Sequence, residues 1–536
     1  MKFFTNLIKE NVLIVLFLPL LVPGFIFVRN SYDTPLGVFF RSAFISIAVF
    51  VILLAFTRIV FRDSRKIILF ASVTYLFLYL YGGFYDELVE ADSVFGHHKE
   101  LVLIYLVLVS LLAFLIYKIK ISSNVILAIK FISVIFIILQ FVQFIPKAIN
   151  MNNENKLAPE NSSEVDNQIE VGIEAVKITA ELGTPDVYYI ILDLYARNDL
   201  IEKDFSFDNS DFTNSLTALG FYVADCSRSN YTLTRSSLAS SLNMAYLQGI
   251  IDESASTDDN ENFLKGMIKN STVFQLFELL EYQTFTFETG YEFTEITNVD
   301  RYLAPSKPVA FLGSIHPYEI LLLKNSVFKI LYDTDIPLVN VLFDRVTFPY
   351  TDHVNLQNFI FDELVNISTN PQPTFTFAHI TVPHTPFVFR ADGSFTTDRR
   401  YFSGIYDTPV SNDLFIEGYI NQLEFINQKI LDIVQEILLN SSTPPIIILQ
   451  GDHGVILEDR LPILNAYYFP GMHDSELYAA VSPVNSFRLL FNEYFSSDYP
   501  LLEDLSYDAS YDKPYQWSLE PEKMQRCNPA LIGKED

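Results

Sequence analysis

The chain has 536 residues, half of them apolar, and a net charge of −28 from 64 acidic and 36 basic side chains. That length exceeds one ordinary domain, and the apolar share is too high for a wholly soluble protein. The acidity excludes nucleic acid as a partner, because phosphate backbones are held by Lys and Arg stripes that this sequence lacks.

The apolar excess lies in roughly the first 145 residues. Five stretches of spanning length occur there, at about 11–28, 38–57, 67–84, 101–117 and 125–145, each near the ~20 residues a bilayer core requires. Lys2 and Lys9 precede the first, and no small-residue cleavage site follows it, so it reads as a retained anchor. Arg58, Arg62, Arg65 and Lys66 separate spans two and three, and Lys118 and Lys120 separate four and five, whereas the loop with Asp86, Glu87, Glu90 and Asp92 is acidic. The positive-inside rule then puts everything after residue 146 outside the cytoplasm, as expected of a multi-pass protein of a bacterial-type plasma membrane. Lys130, inside the fifth span, lies close enough to the inner end to snorkel to the headgroups.

Residues 148–184 switch to Asn, Glu and Ser, a linker composition, with enough apolar periodicity in the second half for a short surface helix. The domain plan is therefore 1–147 for the spans, 148–184 for the linker and 185–536 for an outer domain. From Pro185 short apolar strands alternate with helical stretches: PDVYYIILD, a helix near 208–219, FYVADC, a helix from Thr234, QTFTFET, TFTFAHI, a helix near 413–438, and PIIILQ. That alternation predicts an α/β fold with a mostly parallel central sheet and helices on both faces. Residues 294–365, rich in aromatics and irregular in spacing, read as insertions that cover the sheet edge and shape a cleft.

Two of the strands end in an acid. PDVYYIILD closes on Asp193, and PPIIILQGDHG closes on Asp452 and His453. Carboxyl ends of strands face the crevice where open α/β sheets bind ligands. Thr234, ahead of a helix that puts Leu238 and Leu242 on one face, would sit beside unpaired N–H groups and the positive end of the helix dipole. Together these residues predict a metal site with a nucleophile in it, with Thr232 as the rival hydroxyl and an N-cap as the rival role for Thr234. After TFTFAHI, His384 lies on a loop in VPHTPF, where scaffolds display reactive groups, while His379 inside the strand reads as a core residue. His316, His353 and His473 read as surface residues. Cys226 and Cys527 have no metal-binding spacing, and from sequence they stand equally as a disulfide and as two free thiols.

These motifs resemble the alkaline phosphatase superfamily, in its sulfatase-like branch of sulfatases, lipoteichoic acid synthases and phosphoethanolamine transferases. The strand ending in ILD looks like that family's first metal-ligand strand, GDHG its Asp–His pair, VPHTPF its substrate-binding histidine loop, and TRSSLAS the transferases' nucleophilic threonine segment. Five spans before one outer catalytic domain also resembles the membrane-anchored members. The chain departs from sulfatases in lacking the C-x-P-S-R or S-x-P-S-R segment, from phosphoethanolamine transferases in lacking cysteines beside the threonine, and from lipoteichoic acid synthases in having Asp193 where they have Glu.

The resemblance implies a divalent cation, zinc or manganese, held by Asp193, Asp452, His453 and Thr234, with Thr234 forming a phospho-threonine. It also implies His384 holding the transferring group or protonating the leaving alcohol, and Arg235 or Asn465 contacting phosphate oxygens. The donor would be a membrane lipid headgroup and the acceptor an envelope glycan or polymer. A phosphodiesterase or phosphatase using water, and a non-catalytic envelope assembly protein on the same fold, are the other readings.

Overall fold

The computed structural model describes residues 10–29, 36–90, 97–153, 184–248, 250–251, 257–305, 315–333, 349–396, 412–455, 459–472, 477–509 and 515–521, with Leu7, Phe95, Tyr401 and Cys527. The chain forms two compact units, one of residues 1–157 with 309–349, the other of 158–308 with 350–536. The surface helix expected near 165–182, Lys2, Lys9, Asp92 and His473 lie outside the described residues.

The second unit is built on a seven-stranded sheet. In chain order its strands are β1 Val187–Leu192, β2 Tyr222–Val223, β3 Gln283–Phe287, β4 Arg301–Leu303, β5 Thr374–Ile380, β6 Ile446–Gly451 and β7 Asn465–Tyr468, and in space they run β2-β7-β6-β1-β5-β3-β4. β1 is central and parallel to both β5 and β6, and β3 continues the parallel set to β4. β7 runs antiparallel to β6 and β2, so the sheet is mostly parallel, as its sequence predicts, with a reversed edge that was not foreseen. All six β1 residues are buried, the pattern of a strand covered on both faces. Val187, Tyr189 and Ile191 join Phe375, Phe377, Ile446, Ile448, Leu238, Leu242 and Phe487 in the main core. Each such aliphatic side chain contributes roughly 1.5–3 kcal/mol by leaving water.

Two long helices follow from apolar spacing. Asn412–Asn440 buries Tyr419, Leu423, Ile426, Ile430, Ile433, Val434 and Ile437, and Pro349–Ile367 buries Leu356, Ile360, Phe361, Leu364 and Ile367. Cys226 and Cys527 form a disulfide across a sequence separation of 301 residues, with Cα atoms 5.3 Å apart. A cross-link closing so long a loop removes much chain entropy from the unfolded state, about 6 kcal/mol in the loop-closure picture. Cys226→Ser is therefore expected to lower the thermal midpoint of the outer unit markedly, and to make it insensitive to reductant. A midpoint equal to that of the unreduced protein would show that the bond carries no stability.

Among the described residues of the first unit, four helices are long and apolar enough to cross a membrane, Leu36–Val60, Ser64–Val89, His98–Lys118 and Ser123–Gln143. The expected first span is a shorter apolar helix, broken by a 3-10 turn at Leu18–Leu20 that carries Pro19. A proline lacks the N–H that an α-helix would use there. Lys130 places its ammonium 2.8 Å from the carbonyl of Glu10.

Part of the region read as a cleft insertion belongs to this unit instead. Helix Pro317–Asn325, capped by His316 and Glu319 acting reciprocally, lies against the spanning helices. Tyr318 donates to the Pro23 carbonyl at 2.8 Å, and Val327 N donates to the Leu78 carbonyl at 2.7 Å. A side chain at Gly82 would put its Cβ 1.9 Å from the Lys324 carbonyl oxygen, so only glycine permits this approach.

Candidate active site

The sheet register explains how the site assembles. Ile191 of β1 lies opposite His379 of β5 and opposite Gln450 of β6. Residues two apart on a strand share a face, so Asp193, His379 and Asp452 fall on one side at the carboxyl edge of three adjacent parallel strands. Their ligand atoms all lie within 4.8 Å of one another. His379 Nε2 is 3.4 Å from Asp193 Oδ2, and His453 Nε2 is 3.4 Å from Asp452 Oδ2 and 4.0 Å from Asp193 Oδ1.

The Asp–His turn is fixed by its glycines and by two serines. A Cβ at Gly451 would come 2.4 Å from the Tyr195 carbonyl oxygen, and one at Gly454 would come 2.6 Å from that of Pro462. Ser229 and Ser237 both donate to the Asp452 carbonyl, at 2.6 and 2.7 Å, and Leu194 N donates to Asp452 Oδ1. His453 Nδ1 lies 3.0 Å from the Gly454 carbonyl, which leaves Nε2 facing the carboxylates.

Three buried atoms remain without a hydrogen bond, Asp193 Oδ1, His379 Nε2 and Asp452 Oδ2. An unsatisfied buried polar atom is costly, and three converging in one place need a shared partner. Two carboxylates and imidazole nitrogens suit a divalent cation, and contacts of 3.2–3.4 Å match the edge of a tetrahedron, about 3.4 Å, around an ion with ~2.1 Å bonds. The residues present therefore fit such a group. Burial raises the pKa of Asp193, but His384 and His379 outweigh it and hold the carboxyl well below its usual range. Burial, with Arg460 adding to it and Asp452 opposing, lowers the pKa of His453, so the imidazole is kept neutral and able to ligate.

Thr234 opens helix Thr234–Asn243, and its Oγ1 is 3.2 Å from His453 Nε2. The helix is buried from Ser236 to Leu242, and its small residues let it approach the strand ends. Leu233, not Thr234, is the N-cap, and Leu233 makes no side-chain cap, so the Thr234 hydroxyl is not committed to capping. Thr232, the rival hydroxyl, is buried and accepts from Ala509 N at 3.4 Å.

His384 sits on the loop after β5, which Gln422 holds by donating to the carbonyls of Pro383 and His384 at 3.2 and 2.9 Å. Its Nδ1 is 2.7 Å from the Thr385 carbonyl, so the tautomer that donates there leaves Nε2 for a ligand. Arg235 pairs with Glu261 at 3.1 Å and lies over the rings of Phe293 and Tyr515, at 5.7 and 5.6 Å. Asn465 is elsewhere. It is buried in β7, with its amide donating to Ser227 Oγ, Tyr467 O–H and the Val481 carbonyl, and it lines a separate cavity of about 400 Å³ with Arg197 and Asp199. An amide nitrogen already bonded in the core is not available to a phosphate.

Three features escaped the sequence reading. His379 is a member of the cluster rather than a plain core residue, and Thr294 Oγ1, 3.0 Å from its Nδ1, orients the ring. The loop carrying Thr294 also brings the Tyr291 ring to 6.1 Å from that of His379. Burial, opposed by Arg235, raises the pKa of Tyr291, which therefore remains a neutral hydroxyl. His353, expected at the surface, has a buried Nε2 with no hydrogen bond.

Burial, then His384, pushes the pKa of His353 from 6.5 down to about 4. In the unfolded chain this imidazole takes its proton first as the pH falls, so the native state loses stability between about pH 6.5 and 4 and no further below that. His353→Gln should flatten that limb of the stability–pH curve. An unchanged limb would mean that His353 titrates alike in both states.

No protein-family model and no curated sequence matches the chain. Solved structures do. The C-terminal periplasmic domain of EptC from Escherichia coli, in complex with Zn, is 10% identical, with 64% of this chain and 94% of that one covered and a TM-score of 0.38. The integral membrane lipooligosaccharide phosphoethanolamine transferase A from Neisseria meningitidis is 13% identical over 88% of this chain and 94% of that one, at a TM-score of 0.34. The lipoteichoic acid synthase LtaP from Listeria monocytogenes is 14% identical over 58% and 72%, at 0.34. Scores this low decide nothing about activity, which has to be argued from the side chains.

Proposed function

We propose that this protein is a metal-dependent phosphoryl-group transferase that takes a lipid headgroup from its phosphodiester at the outer face of a plasma membrane, through a phospho-threonine, and passes it to an envelope glycan or polymer. The observation that carries this reading is the Thr234 hydroxyl 3.2 Å from His453, together with three buried ligand atoms that make no hydrogen bond. Asp193, His379, Asp452 and His453 would hold the cation. When bound, it would lower the pKa of the threonine hydroxyl and neutralise phosphoryl charge. Zinc and manganese both suit this donor set.

Thr234 Oγ would attack phosphorus in line, forming the Oγ–P bond as the bond to the diacylglycerol oxygen breaks. His384 Nε2 would give that oxygen a proton and recover one from the acceptor hydroxyl in the second half. Arg235, held between two aromatic rings, and the Tyr291 hydroxyl would contact the non-bridging oxygens. Four apolar spans and a phosphoryl site in one chain favour a lipid as donor, since the substrate then shares the enzyme's membrane.

The test is to incubate the purified full-length protein, loaded with zinc or manganese, with phosphatidylethanolamine or phosphatidylglycerol and to measure the mass of the Thr234 peptide. A phosphoethanolamine or glycerophosphate increment is expected, with release of diacylglycerol. Release of headgroup phosphate into water with no acceptor would turn the reading to a phosphodiesterase. No increment and no diacylglycerol would end it.

A further inference from the structure

The described residues 315–333 lie in sequence between two parts of the outer unit, yet they group with the spanning helices. We propose that this excursion is a membrane-docking element whose occupant is the bilayer itself, so that the outer unit is attached to the membrane by this strap as well as by the linker. The inference rests on the reading of the four helices as membrane spans, and not on the chemistry at Thr234.

The contacts set its depth. Tyr318, Val327 and the Lys324 carbonyl meet the spanning unit at Pro23, Leu78 and Gly82. Gly82 lies about 12 Å, at ~1.5 Å per residue, before the end of Ser64–Glu90, and Arg41, which bonds Glu319 Oε1 at 2.8 Å, lies about 7 Å inside Leu36–Val60. Amphipathic elements seated in the headgroup boundary reach comparable depths, ~5–10 Å.

Two ion pairs accompany the strap, Arg41–Glu319 and Lys329–Asp86 at 3.2 Å, so Glu319 and Lys329 are matched where an unmatched charge would be costly. Tyr318 and Leu322 are buried in one cluster with Ile26 and Phe27, while Phe328 and Leu331 remain 39% and 36% exposed. Those two residues flank Lys329, which pairs with Asp86 and lies over the ring of Tyr85, both on the helix that exposes the apolar Phe84. A surface continuous with the lipid-facing one is covered by the same lipid.

The experiment uses the full-length chain in liposomes of phosphatidylcholine with brominated acyl chains. Trp517 is the one tryptophan, so Trp517→Phe with Phe328→Trp gives a single reporter on the strap. Blue-shifted emission that is mostly quenched by the bromines is the expected result. Red-shifted, unquenched emission would overturn the proposal, and so would blue-shifted, unquenched emission, which would mean a second copy of the chain covers the face.

A second measurement does not depend on those variants. With a protease site placed at 160–175, the cut outer fragment should still sediment with membranes, and Tyr318→Ala or Gly82→Leu should increase its release. Release of the cut wild-type fragment would refute the strap. Loss of the uncut protein from membranes would instead refute the spans, and neither readout involves catalysis.

Discussion

Thr234→Ala should abolish headgroup transfer, by a factor on the order of ten-thousand-fold, while the protein folds and binds metal. Alanine is a better helix former than threonine, and Thr234 does not cap its helix, so the substitution removes the reacting oxygen with little structural cost. Thr234→Ser should keep part of the activity, because its hydroxyl can occupy the same position 3.2 Å from His453 Nε2. Thr232→Ala should be close to wild type, since that hydroxyl lies near Ala509. Turnover of labelled phosphatidylethanolamine, read beside thermal midpoint and metal content, separates these cases. Full activity in Thr234→Ala would remove the nucleophile from the mechanism.

His379→Ala should weaken metal binding by about 100-fold or more, a larger loss than a buried core histidine would explain. Asp193 would lose the imidazole at 3.4 Å and would keep a buried carboxylate with one fewer partner. Thr294→Val, which removes the hydroxyl at His379 Nδ1 and leaves the ligand in place, should show the same effect more weakly, about 10-fold. Equilibrium dialysis against zinc or manganese measures both. Retention of stoichiometric metal by His379→Ala at wild-type affinity would return His379 to the core.

The strand ends were legible because an apolar run that stops on a carboxylate is a local pattern, and Asp193 and Asp452 both show it. Leu238 and Leu242 were legible through helical spacing, and both are fully buried. His379 was not, because a histidine inside TFTFAHI looks like any packed residue until the register sets it beside Asp193. Thr294 and Tyr291 reach His379 through contacts between distant parts of the chain, for which sequence spacing carries no signal. Asn465 was misread for the opposite reason. Its amide looked available in the sequence and is taken up by Ser227, Tyr467 and Val481. The strap was hidden because a short apolar helix that packs on a neighbour has the same composition as one that packs on a sheet.

The bond between Cys226 and Cys527 also sets an order of events during synthesis. Thr234 and Arg235 leave the ribosome long before Tyr515, which lies over Arg235, and Cys527, which ties its segment back near that helix. At ~5–20 residues per second the delay is roughly 15 to 60 s. During that interval the helix that opens on Thr234 lacks the Tyr515 ring beside Arg235. The packing around Thr234 is therefore completed only by the last part of the chain to be made, the part that the Cys226–Cys527 bond ties to residue 226.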